Sequence, residues 1–255
     1  MRISIVAALF VASFSIGGVA DRSAAQNPEG VRVATAHPAV DQSPKFTFIL
    51  FWKEENAATQ GMTAALKTAV ARRSQRAEWT SVNIKDDANR AVVERYKVER
   101  APMPLVICVA ANGAITGAMA RQVSDDAIEH ALVTPAMTEA TKALQDKKIV
   151  VVHVQQDALQ PLPAGAVEFL ADPAFQVRTT TVNVLLGDPA EGRFLTEMKI
   201  KAGDVADSMV VLLAPPGVLV GKFPANATAA QIAAALHAAG KCCDDPNCKH
   251  NQKGQ

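Results

Sequence analysis

The sequence predicts an α/β protein made of two tandem copies of one unit, each a central mixed sheet flanked by helices, and two observations carry that prediction. Apolar, β-favouring runs alternate with stretches of helical period in the order β-α-β-α-β-β-α over residues 45–133. The same order returns over residues 148–240 with matching residues in register.

Each element has a local cause. Phe46 to Trp52 is a short run of aromatic and aliphatic residues and predicts the first strand. Met62, Leu66 and Val70 fall at helical spacing within Ala57 to Arg73. Trp79 to Ile84 predicts a second strand, and Ala88 to Tyr96 a short helix opened by Asp86-Asp87. Leu105 to Ala110 predicts a third strand, which the turn Ala111-Asn112-Gly113 connects to a fourth at Ala114 to Ala118. Ser124 caps a last helix that carries Ile128 and Leu132.

The second half repeats these signals. Gly113, Gly117, Ile128 and Leu132 recur 104 residues on as Gly217, Gly221, Ile232 and Leu236. Ser81 to Ile84 matches Thr181 to Val184 at an offset of 100, and Tyr96-Lys97-Val98 matches Met198-Lys199-Ile200 at 102. Thr228 with Gln231 forms a capping box where Ser124 stands in the first copy. Between the copies, residues 134–147 predict a connecting helix with Pro135 in its first turn and Met137 and Leu144 as apolar positions.

Outside the two units the chain changes character. Residues 1–25 carry a thin positive start at Met1-Arg2, an apolar run from Ile3 to Val19, and small-x-small stretches ending at Ala20 and Ala25, the pattern of a cleavable signal peptide. Gly17-Gly18 interrupts the run and leaves it short of the roughly 20 apolar residues a spanning helix needs. The expected location is therefore periplasmic or extracellular. Residues 26–44 hold three prolines and read as a linker, with one short strand at Val31 to Ala34. A net charge of +1 without a basic run argues against a nucleic-acid partner and against a membrane surface once the leader is removed.

The local sequences sharpen the fold. Phe51-Trp52-Lys53-Glu54-Glu55-Asn56-Ala57-Ala58-Thr59-Gln60 resembles the thioredoxin segment Phe-Trp-Ala-Glu-Trp-Cys-Gly-Pro-Cys-Lys, at the same place between the first core strand and first helix. Tyr96-Lys97-Val98-Glu99-Arg100, Met103-Pro104-Leu105-Val106-Ile107 and Asn112-Gly113 are similar to the family's Tyr-Gly-Val-Arg, its cis-proline strand and its Asn-Gly turn. The resemblance covers residues 45–133 and implies tandem thioredoxin-like domains, the second identified through the repeat.

It also implies that Asn56 and Thr59 stand where the two redox cysteines belong. A cysteine at a helix N-terminus has its thiolate stabilised by the helix dipole, and a partner three residues on closes the disulfide. Asn caps that helix and Thr packs beneath it, but neither forms a thiolate. Met103-Pro104 resembles the loop that presents a backbone edge to substrate chains in this family, so Trp52, Asn56, Thr59, Met103 and Pro104 make a candidate peptide-binding surface. In the second copy the residue matching Pro104 is Ser208, and Gln160-Pro161-Leu162-Pro163 before its first helix holds no cysteine.

The four cysteines are unevenly placed: Cys108 lies alone in an apolar run and reads as a core residue, while Cys242, Cys243 and Cys248 crowd residues 241–255 with His250. Three readings of that tail stay open: a site for Zn or Cu, a disulfide of Cys242 or Cys243 with Cys248, or an unstructured remnant. His153 and His237 are single imidazoles expected to be structural. Asn226-Ala227-Thr228 is a weak glycosylation match, and no Ser-His-Asp pattern or phosphate loop stands out. The functions expected are a non-catalytic protein or peptide binder or scaffold, a thiol-disulfide protein acting through the tail, or a metal-handling protein using the same tail. No cofactor is expected beyond that metal.

Overall fold

The computed structural model describes residues 45–240. The signal segment, the linker and the cysteine-bearing tail with Cys242, Cys243, Cys248 and His250 lie outside the described residues. Each unit is a four-stranded mixed sheet. The first runs β1 (Phe46–Trp52), α1 (Ala57–Ala71), β2 (Ala77–Asn83), α2 (Arg90–Tyr96), β3 (Leu105–Val109), β4 (Ile115–Ala120) and α3 (Asp125–Ala131), with strand order β2-β1-β3-β4. After α4 (Pro135–Gln145) the second runs β5 (Ile149–Gln155), α5 (Ala164–Ala171), α6 (Pro173–Gln176), β6 (Thr179–Leu185), α7 (Gly192–Glu197), β7 (Ser208–Ala214), β8 (Val218–Pro224) and α8 (Ala229–Gly240), with strand order β6-β5-β7-β8.

In both sheets the first strand pairs parallel with the second and antiparallel with the third, and the third pairs antiparallel with the fourth. This order, with helices on both faces, is thioredoxin-like, and the protein consists of two such domains in tandem. The repeat extends to irregular features. A bulge falls between Cys108 and Val109 on β3 and between Leu212 and Leu213 on β7. The following turns place Gly113 and Gly217 at φ values of 82° and 119°, which glycine adopts without strain. Asp86 and Asp188 each accept a hydrogen bond from the amide two residues on and open a 3₁₀ turn.

The ladders correct one detail of the sequence match. Phe46 pairs with Ala77 and Ile149 with Thr179, so β2 and β6 correspond at an offset of 102, not the 100 suggested by Ser81 and Thr181. A two-residue slip leaves every side chain on its own face, so the apolar pattern does not distinguish the two registers.

Helices sit where their apolar stripes find a sheet. Met62, Leu66, Ala69 and Val70 of α1 pack on Phe48, Leu50, Val106 and Cys108. Phe169 and Phe175 stack at 4.5 Å between centroids over Ile149 and Val151. The stretch expected to connect the units does so as α4, and it is also core: Ala136, Met137, Ala140, Ala143 and Leu144 pack against Val150, Val152 and Val154. Its Gln145 side chain meanwhile bonds both the N–H and the carbonyl of Ile115 on β4, at 3.0 and 2.7 Å. Arg193 of α7 adds bonds to the carbonyls of Glu129 and His130 at the end of α3. Among the described residues no helix is long and apolar enough to cross a membrane.

Candidate functional site

The site that the sequence places at the start of the first helix is assembled at one end of the first sheet. Phe51 faces Leu105 across the β1/β3 ladder, so the next step of the register sets Trp52 beside Pro104. Both α1, leaving β1, and the Met103–Pro104 segment, entering β3, therefore begin at the same end. Trp52 is half-buried and packs on the core beneath α1. The Met103–Pro104 peptide bond is cis. Met103 is half-buried, and among the described residues neither its N–H nor its carbonyl takes a hydrogen bond.

Asn56 has extended backbone angles, and its Oδ1 accepts from the Thr59 N–H at 3.1 Å, the geometry of a helix N-cap. Its side chain is exposed, while Thr59 is buried and donates its hydroxyl to the Glu54 carbonyl at 2.8 Å. These bonds cap one N–H of the first turn of α1 and close the segment 54–59 on itself. Lys85 reaches Glu54 at 3.5 Å on the exposed rim. The arrangement can present a helix N-terminus, an indole face and a backbone edge unpaired among the described residues, and its helix start carries an amide and a hydroxyl in place of thiols.

Cys108, the one cysteine among the described residues, does not reach that surface. It is fully buried on β3, with Sγ 3.8 Å from the Ala131 carbonyl, and burial pushes its thiol up to about 12. Such a thiol stays protonated and inert at neutral pH.

The matching end of the second sheet is built differently. Ser208 faces Gln155 across the ladder and is buried, in the place of Pro104. Helix α5 starts after Pro163, which offers no side-chain cap. The loop before it is folded onto itself through Asp157 and Gln160. Gln156 donates to the carbonyls of Val205 and Ala206, both at 2.8 Å, and ties down the approach to β7. Gly165 lies so close to Ala227 that a Cβ there would stand 2.1 Å from its carbonyl oxygen.

Two buried polar groups stand out in the second unit: Glu191, which the sequence reading did not single out, and His153, which it expected to be structural. Glu191 is 5% exposed; its Oε1 accepts from the Ala136 N–H of α4 at 2.8 Å, while Oε2 has no partner among the described residues. His153 is buried with its Nε2 likewise unpartnered. The internal register was the available signal for His153, since it replaces a leucine of the first copy. Nothing in the sequence marked Glu191. Among the described residues no group of three or more His, Cys, Asp or Glu is placed to hold a metal ion.

No protein-family model matches the chain, and no curated protein matches it. Among solved structures, the malaria parasite's thioredoxin-2, a component of its protein secretion machinery, is 12% identical over 38% of this chain and 93% of its own, with a TM-score of 0.29. The NTD_N/C domain of the alkylhydroperoxide reductase AhpF from Enterococcus faecalis is 14% identical over 76% of this chain and 91% of its own, with a TM-score of 0.30. The first two thioredoxin domains of Saccharomyces cerevisiae Eps1p are 11% identical over 77% and 92%, with a TM-score of 0.28. The strand order and the repeated bulge, cap and turn carry the fold independently of these likenesses.

Proposed function

We propose that the chain is an exported, redox-inactive thioredoxin-fold protein that binds an extended polypeptide along the Met103 edge of its first unit. The observation that carries this reading is the cap at the start of α1: the positions that would hold two thiols hold an amide that accepts and a hydroxyl that donates, both already engaged. The neighbouring Met103 N–H and carbonyl, unpaired among the described residues, can add a strand, and Trp52 offers apolar area to a side chain. Export follows from the apolar leader of residues 1–25, and the partner is a protein or peptide, not nucleic acid or a bilayer.

Titrating the full chain with an extended, cysteine-free peptide tests this. Amide shifts should concentrate at Trp52, Asn56 and Met103, and Met103→Pro, which removes the N–H, should weaken binding. Shifts confined to the second unit, or none at saturating peptide, refute it.

A second reading is favoured by the state of Cys108. Because that thiol is buried and inert, any thiol or metal chemistry falls to Cys242, Cys243, Cys248 and His250, as a disulfide exchanger or a Zn or Cu site. Replacing the three tail cysteines with serine separates the two: thiol turnover or bound metal that disappears with them supports the second reading.

A further inference from the structure

Strand β5 is buried along its whole length, and its side chains alternate between two apolar layers. Val150, Val152 and Val154 face α4 and α7, whereas Ile149 and Val151 face α5, α6 and α8. His153 continues the second row. It is 2% exposed, stands between Asn183 on β6 and Val210 on β7, and leaves Nε2 without a partner among the described residues. Its counterpart in the first unit, counted from the matching strand starts Phe46 and Ile149, is Leu50, fully buried in an apolar cluster.

Charged groups on the surrounding elements stay clear of this imidazole. Glu168 on α5 and Asp207 before β7 are exposed. Asp172 accepts from the Ala174 N–H at the start of α6. Arg178 lies over the Phe175 ring, and His237 of α8 packs beside the same ring. β6 and β7 themselves carry no charged residue.

A neutral imidazole with one bare nitrogen fits such a layer at the cost of a hydrogen bond. An imidazolium brings a charge and two N–H donors, and the buried carboxylate of this unit, Glu191, is held at α4 in the opposite layer. Burial accordingly pushes the imidazole below its ordinary value, with the Asn183 side chain opposing the shift.

We propose that His153 makes the second unit an acid-opened module, whose α5–α8 layer loosens in mild acid while the first unit, with Leu50 in that place, stays closed. In the opened chain the imidazole returns to its ordinary value of 6.5, and in the closed chain it lies below it. Under that value the opened state binds more protons, so stability present at neutral pH is lost toward acid, by up to about tenfold in the closed-to-open ratio per pH unit. The first unit has an acid-sensitive group of its own: the Arg73 guanidinium, 2.9 Å away, holds the Glu129 carboxyl below its ordinary 4.5. Stability from that pair is lost only as pH falls through the lowered range, so a measurement near pH 5 separates the units.

Hydrogen exchange of the full chain, at about pH 7.5 and about pH 5 and corrected for intrinsic rates, tests the proposal. Protection of the β5, β6 and β7 amides should fall about tenfold relative to the first sheet, and His153→Leu should remove the difference. Equal acid loss in both units, or the same loss in His153→Leu, overturns it. Should that variant not fold, the His153 Cε1–H resonance of the unaltered chain decides: a shift midpoint well below 6.5 supports the proposal, and a midpoint at the ordinary value while β5 remains protected refutes it.

Discussion

The first and second units share a ladder, a bulge, a glycine turn and a capped 3₁₀ turn at matching positions, but they differ at the end of the sheet where the first helix begins. In the first, four residues lead from β1 to an Asn-capped helix of 15 residues, and the Met103 edge is unpaired among the described residues. In the second, a longer loop bonds to itself and to the approach to β7, the helix starts uncapped, and Asp172-Pro173 divides it into α5 and α6. A shared scaffold thus tolerates opposite treatments of the same end, because the ladder and its two apolar layers hold the fold without help from that end. On this contrast rest the two proposals, recognition by the first unit and conditional stability of the second.

Substitutions that exchange features between the units sharpen this contrast. The largest effect is expected from Leu50→His, which places an imidazole in the first unit's core and removes a fully buried leucine. It should cost about 3–5 kcal/mol in urea denaturation and make the first unit acid-sensitive as well. A cost under about 1 kcal/mol would show that this position tolerates polarity in either copy.

Gly165→Ala comes next. Its Cβ meets main chain at Ala227, which cannot swing aside as a side chain would, so a loss of about 2 kcal/mol confined to the second unit is expected. Gly61→Ala on α1 is the control: nothing lies within 4 Å, and helix propensity alone should stabilise the first unit by about 1 kcal/mol. The smallest effect belongs to the cap. Asn56→Ala should cost about 1 kcal/mol, because the Thr59 N–H loses its acceptor.

Much of this was legible in the residues. Alternating runs and helical spacing are local signals, so the element order, the Asn56 and Ser124 caps and the Pro135 helix start all follow from short windows of sequence. Spatial consequences were less legible. Residues 134–147 read as a connector because only Met137 and Leu144 stand out as large apolar residues; three alanines complete the buried face and put α4 in the second core. Strand β2 begins at Ala77, ahead of Trp79, because its pairing with Phe46 is set by the neighbouring strand and not by β-propensity. His153 looked like an ordinary strand residue, since an unpartnered nitrogen becomes visible only once every neighbour is placed. Glu191 sits in a polar-looking turn that the fold closes over the start of α4.

The most direct test of the central claim is insulin reduction with dithiothreitol as electron source, by the full chain in which Cys242, Cys243 and Cys248 are serine. The account predicts turnover no faster than dithiothreitol alone, and a gain when Asn56→Cys and Thr59→Cys restore a thiol pair at the start of α1. Turnover above the reagent background with Asn56 and Thr59 in place would contradict it.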